Sequence, residues 1–131
     1  MKLYQLPLVP FKRRTKATYA GNHIRVYTPI ESQREEQMVA AAYQGKLYEG
    51  PVVLELHVYR MLPKSRPKRV ESEPDTYKPD IDNIIKSVMD GLNGVAYKDD
   101  SQVVEIKAVK HDRARRKDEG ILFGVEPVEG R

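Results

Sequence analysis

The chain has 131 residues, 40% of them hydrophobic and 32% charged, enough for one modest core in a well-solvated single domain. Its 23 Lys and Arg against 19 Asp and Glu give a net charge of +4, and the lack of Cys excludes a disulfide framework, a thiol nucleophile and any thiolate zinc site. No stretch approaches the roughly 18–20 apolar residues of a membrane span, and Met1 to Pro10 lacks a basic leader and a small-residue cleavage site, so a soluble cytoplasmic protein is expected.

Residues 2–9 alternate weakly, with Tyr4, Leu6 and Leu8 on one face, and predict a short strand ended by Pro10. A polar, basic loop is expected from there to Tyr27. Thr28-Pro29-Ile30-Glu31 then carries a capping hydroxyl, a proline suited to the first helical position and the acid of a capping box. The helix it starts is expected to reach about Tyr43 and stop at Gly45. Pro51 to Arg60 alternates cleanly, with Val52, Leu54, Leu56 and Val58 on one side and Glu55, His57 and Tyr59 on the other, the pattern of a half-buried strand. Residues 62–79 hold four prolines and many charges, and are expected to form a long, mobile loop of the kind that is more often functional than incidental.

From Ile81 the period becomes helical. Ile81, Ile84, Ile85, Val88, Met89 and Leu92 form one apolar stripe, which predicts a core-facing helix ended by Asn93-Gly94. Val103 to Lys110 predicts a strand with Val104, Ile106 and Ala108 on one side. Ile121 to Glu126 predicts a last strand, paired to the previous one as a hairpin. The order strand, helix, strand, helix, strand, strand favours an α+β fold: one small mixed or antiparallel sheet with two main helices packed on it.

The charge is segregated. Basic clusters lie at Lys12, Arg13, Arg14 and Lys16, at Arg60, Lys64, Arg66, Lys68 and Arg69, and at Lys110, Arg113, Arg115, Arg116 and Lys117. Acids gather at Glu31, Glu35 and Glu36 and between Asp80 and Asp100. Three basic loops around an acidic centre suit a polyanion such as nucleic acid, although each cluster alone is equally a solvated loop.

The acids of Lys78-Pro79-Asp80-Ile81-Asp82-Asn83-Ile84-Ile85-Lys86 and Lys98-Asp99-Asp100-Ser101 carry whatever chemistry there is. Asp82, Lys86 and Asp90 are spaced to share the helix face opposite the apolar stripe. One reading is purely structural: Asp80 caps the helix, Asp82 favours its dipole, and Asp82 and Lys86 form a surface pair worth about 0.3–0.5 kcal/mol. The other is a hard-cation site of carboxylate oxygens, with Asp99 or Asp100 as the third ligand. His23, His57 and His111 have no metal spacing, and no Walker motif, dinucleotide fingerprint or nucleophile elbow is present.

Lys78-Pro79-Asp80-Ile81-Asp82-Asn83-Ile84-x-Lys86, then Asp90-x-Leu92-Asn93-Gly94, then Tyr97-x-Asp99-Asp100-x-Gln102-Val103, resembles the RusA family of Holliday junction resolvases. Pro10-x-Lys12-x-Arg14 and Tyr27-Thr28-Pro29 look like the N-terminal pattern of one branch of that family, whereas the PPSxN-type motif of another branch is absent. The resemblance implies a homodimeric, Mg²⁺-dependent endonuclease, commonly encoded by prophages, that nicks four-way junction DNA symmetrically in recombination and repair. It implies a single nuclease domain over residues 1–131, with Asp80, Asp82 and Asp100 as metal-holding catalytic acids and Lys86 as the catalytic basic residue. Asp99 stands next to the third acid as an alternative, and Asn83 either orients a metal-bound water or hydrogen-bonds the helix start. Lys12, Arg13, Arg14, Lys16, Arg66, Lys68 and Arg69 are the expected DNA contacts. The competing expectations are a binding module without catalysis and a metal-dependent nuclease for other branched DNA.

Overall fold

The computed structural model describes residues 1–7, 16–20, 23–27, 30–115 and 118–128, with the backbone alone at 16–20, 23–27 and 30–32. Its elements are β1 (Tyr4–Leu6), β2 (Lys16–Ala20), β3 (His23–Tyr27), α1 (Ile30–Ala42), β4 (Val52–Tyr59), β5 (Ser72–Glu73), α2 (Ile81–Leu92), a 3₁₀ turn (Asp100–Gln102), β6 (Val103–Lys110), β7 (Arg113–Ala114) and β8 (Gly120–Pro127). The architecture is α+β, as expected. A four-stranded mixed sheet has the order β1-β8-β4-β6, in which β4 runs parallel to β6 and antiparallel to β8.

The core lies on one face of this sheet. Leu54, Leu56 and Val58 stand directly opposite Val125, Phe123 and Ile121 of β8, so their side chains share a face. They cluster there with Val39 and Tyr43 of the first helical segment and Ile84, Val88 and Leu92 of α2. The expected apolar stripe of α2 is therefore core, although Ile81 at its start stays exposed. The two helices approach closely at Gly91, where a Cβ would stand 2.7 Å from Val39 Cβ and 2.9 Å from the Glu36 carbonyl oxygen. After Leu92 the chain reverses through Gly94, whose φ of +78° is the left-handed backbone that favours glycine.

Two expectations are overturned. The final strand does not form a hairpin with β6; β8 is inserted between β1 and β4. The physical reason is burial: Gly120, Ile121, Phe123, Gly124 and Val125 are all buried, which an interior strand achieves, whereas β6 is mostly exposed and takes the edge. The basic N-terminal stretch is not all loop, because Lys16–Ala20 and His23–Tyr27 pair antiparallel, Lys16 against Tyr27 and Ala20 against His23. Their β-branched and aromatic residues favour strands even among basic neighbours. The segment from 62 to 79 is the expected long loop, interrupted only by the two-residue β5, and it is tied to the fold. Its β5 pairs with β7, Arg66 pairs with Glu73 at 2.9 Å, and Arg113 and Lys110 tie down its end. The caps expected at Thr28 and Pro29, and the strand end at Pro10, lie outside the described residues.

Candidate active site

The helix that carries the acids begins where Pro79 makes helical backbone unfavourable at Lys78. Asp80 is its N-cap residue, in extended backbone (φ −69°, ψ 151°), and its carbonyl accepts from Asn83 N at 3.1 Å and Ile84 N at 3.2 Å. Its side chain makes no capping bond. The carboxylate lies 3.1 Å from the exposed Lys78 ammonium instead. Asp82 follows in the first turn and Lys86 one turn later, both exposed. Among the described residues, no hydrogen bond or ion pair engages the side chains of Asp82, Lys86 or Asp100, so the expected Asp82–Lys86 pair is not formed.

Lys110 and Arg60 hold the approach to this helix. The Lys110 ammonium donates to the carbonyls of Tyr77 (2.7 Å) and Pro79 (3.0 Å), and Arg60 donates to the Lys78 carbonyl. Asp75, whose side chain is fully buried, stands 3.7 Å from Lys110 and 3.9 Å from Arg113. Arg113 in turn donates to the Met61 carbonyl at 2.7 Å and lies over the Tyr77 ring. Lys110 and Arg113 belong to the third basic cluster of the sequence. The structure turns them inward, because a buried carboxylate and loop carbonyls need cationic donors more than solvent does.

Asp99 and Asp100 are neighbours with different surroundings. Asp99 caps the 3₁₀ turn: its carboxylate accepts from Ser101 N at 3.1 Å, while the Gln102 side chain accepts from Asp99 N at 3.1 Å. Hydrogen bonding from Ser101 holds the Asp99 carboxyl below the usual carboxylate range. Gln102 also accepts from Lys98 N and donates to the carbonyls of Tyr48 (3.0 Å) and Gly50 (2.9 Å), fixing the turn against the approach to β4. Asp100 is left half-exposed with its carboxylate outside that cap.

The buried Tyr97 connects the turn to α2. Its hydroxyl donates to the Met89 carbonyl at 2.8 Å, and burial, reinforced by the charges of Asp100, Asp90 and Asp99, pushes its pKa up and keeps the donor protonated. The turn that carries Asp100 is thereby tied to α2, on which Asp82 and Lys86 stand one turn apart. Among the described residues no three His, Asp or Glu side chains are gathered to hold a metal ion. The donor chemistry nevertheless fits a hard divalent cation, since Asp82 and Asp100 offer only oxygens and spend none on the fold. Such a cation is commonly bound by one or two carboxylates, with waters and substrate phosphates filling the other positions.

Of the expected DNA contacts, Lys12, Arg13 and Arg14 lie outside the described residues, and for Lys16 only the backbone, in β2, is described. Arg66 is paired with Glu73, and Lys68 and Arg69 are exposed at a turn. One cluster is not legible in the residue spacing. On the sheet face away from the helices, His57 Nε2 donates to Glu55 at 2.8 Å, and His57 Nδ1 lies 2.8 Å from His111 Nε2, with Tyr59 stacked on His111 at 4.5 Å. His57 and His111 are 54 residues apart, and only the parallel register of β4 and β6 brings them together.

No helix among the described residues is long and apolar enough to cross a membrane. The protein YqaN of Bacillus subtilis (strain 168), described as uncharacterized, is 37% identical to this chain over 74% of its length and 77% of its own. The family model for endodeoxyribonuclease RusA matches residues 7–118, a span that contains Asp80, Asp82, Lys86, Asp99 and Asp100. With that match over most of its length, the chain belongs to the RusA endodeoxyribonuclease family.

Proposed function

We propose that residues 1–131 form one nuclease domain that acts as a Mg²⁺-dependent homodimer on four-way DNA junctions, nicking opposite strands in pairs. The observation that carries this reading is the contrast at the site of a RusA-family chain: Asp82, Lys86 and Asp100 sit on ordered elements, yet among the described residues their side chains form no hydrogen bond or ion pair. Asp80, Asp82 and Asp100 are the residues that would hold the divalent cation, which when bound supplies Lewis acidity to the scissile phosphate and lowers the pKa of an attacking water.

The chain's own groups have separable tasks. Lys86 offers an ammonium to the phosphate oxygen that gains charge during displacement. Asp99 and Gln102 hold the 3₁₀ turn, so that Asp100 is presented at a fixed place beside α2. Lys110 and Arg60 hold the Tyr77–Pro79 carbonyls, and with them the backbone that delivers Asp80. Asn83, next to both acids, has its backbone N–H on Asp80 and its side chain available to orient a water. Lys68 and Arg69, with Lys12, Arg13, Arg14 and Lys16, supply phosphate contacts that orient the junction.

The test compares a synthetic four-way junction with a linear duplex of matched sequence, with and without Mg²⁺. Paired nicks in opposite arms of the junction, dependent on Mg²⁺ and absent from the duplex, are expected. Tight junction binding without nicks would instead make the chain a binding module. Equal cleavage of flaps or single strands would make it a nuclease for branched DNA in general.

A further inference from the structure

Among the tyrosines whose side chains are described, only Tyr77 is exposed. It stands three residues before Asp80, so the two Cα atoms lie at most about 11 Å apart. Every handle of this residue is fastened. Its N–H donates to Asp75 Oδ1 at 3.3 Å, and its carbonyl accepts from Lys110 at 2.7 Å, the same ammonium that holds the Pro79 carbonyl. Its hydroxyl donates to one oxygen of Glu73 at 3.0 Å, while Arg66 pairs with the other at 2.9 Å. The guanidinium of Arg113, itself buried, lies 4.5 Å from the ring centroid and covers one face. Tyr77 is nevertheless 37% exposed, so its open surface is the opposite face and the edge. The contacts hold the ring in place and leave that face open.

We propose that Tyr77 is a stacking platform for a nucleobase next to the cleaved phosphate, and that it sets the preference for branched over continuous duplex DNA; this deepens the junction reading above and rests on it. In a continuous duplex both faces of each base are covered by neighbouring bases. At a branch point the stack is interrupted, and a base there has a face free for an aromatic ring. Stacking of this kind tolerates any sequence, because every base has a π-face. A freely rotating tyrosine would lose rotamer freedom on stacking. Tyr77 has already lost it in folding, so the contact costs little further entropy. The surroundings suit a nucleotide as well. Lys78, whose side chain is 85% exposed, follows directly, and Lys68 and Arg69 are exposed on the same segment. That segment therefore offers cations for the phosphates and a ring for the base. Because Lys110 holds the carbonyls of both Tyr77 and Pro79, the ring keeps a fixed place beside Asp80. Capture of an unstacked base and delivery of its phosphate to the acids are thus one event.

The test measures binding without Mg²⁺, so that no strand is cut. The ligands are a synthetic four-way junction, the same junction with an abasic nucleotide at each position flanking the branch point in turn, and a linear duplex of matched sequence. Wild-type protein should lose about tenfold in junction affinity at one of the abasic positions. Tyr77→Leu should lose a similar factor on the intact junction and keep the wild-type affinity for duplex. At that abasic position it should lose little more, which is the coupling expected of two groups in contact. Tyr77→Phe and Tyr77→Trp, which keep a ring, should keep most of the preference for the junction. Equal loss on junction and duplex by Tyr77→Leu would make the residue a support of its loop and overturn the inference. Additive losses from the base and the side chain would overturn it too. Indifference of the wild-type protein to every abasic position would do so without recourse to any variant. In each of these cases a wild-type preference for the junction leaves the function proposed above intact, whereas equal wild-type binding of junction and duplex would overturn both.

Discussion

Two charged regions look alike in the sequence and are used differently in the molecule. At Lys110–Arg115 the cations are tied to the fold: Lys110 and Arg113 face inward to the buried Asp75 and three loop carbonyls, and the exposed Arg115 donates to the Pro67 carbonyl. Along α2 and the following 3₁₀ turn, Asp82, Lys86 and Asp100 do none of this work. A charged side chain with a buried partner belongs to the framework. One that an ordered backbone holds without a partner is available to a ligand.

The widest gap between the regions should appear in cleavage. Asp82→Asn keeps size and fold but loses the charge that holds a cation, so junction nicking should fall by at least about a thousandfold, equivalent to roughly 4 kcal/mol of transition-state stabilisation. Junction binding measured without metal should hold or improve, because less negative charge faces the phosphates. In the inward region the effect should fall on stability. Asp75→Ala strands two cations near the protein interior and should cost about 3 kcal/mol, read as a lower denaturant midpoint. Nearly unchanged stability there would erase the distinction.

A smaller effect is expected at the exposed cations. Lys68→Ala with Arg69→Ala should weaken junction binding severalfold and reduce the salt slope by about 0.9 for each phosphate that is no longer neutralised. Unchanged affinity and slope would return that turn to a solvated loop. The smallest effect concerns acid. The Asp99 carboxyl titrates below its ordinary value in the folded chain, so its contribution to stability is full above the unfolded pKa of about 3.9 and is lost as pH falls through the folded value. Wild-type protein should therefore lose thermal stability below about pH 4 more steeply than Asp99→Asn, in which the amide keeps the cap without titrating.

Local patterns are readable from the residues. The period-two alternation of β4 and the helical stripe of α2 depend on neighbours a few positions away, and both elements lie where those patterns put them. Pairing is less readable. β6 and β8 are close in the chain, and only the heavier burial of β8 shows that it belongs inside the sheet. The site divides in the same way. Asp82 and Lys86 share a helix face by spacing alone, but Asp99 and Asp100 differ only in a cap geometry that two consecutive aspartates do not reveal. The inward turn of Lys110 and Arg113 is hidden because Asp75 lies 35 and 38 positions before them, and no local rule joins the three.

Asp99 and Asp100 allow the most direct test, since they are consecutive, both acidic, and on opposite sides of the distinction between framework and available charge. Single-turnover nicking of a four-way junction in Mg²⁺ should be compared for Asp99→Asn and Asp100→Asn, with the melting temperature of each variant as the check on folding. Expected is near wild-type nicking by Asp99→Asn and none by Asp100→Asn, both melting close to wild type. An inactive Asp99→Asn beside an active Asp100→Asn would contradict the assignment of the cap to one residue and the chemistry to the other.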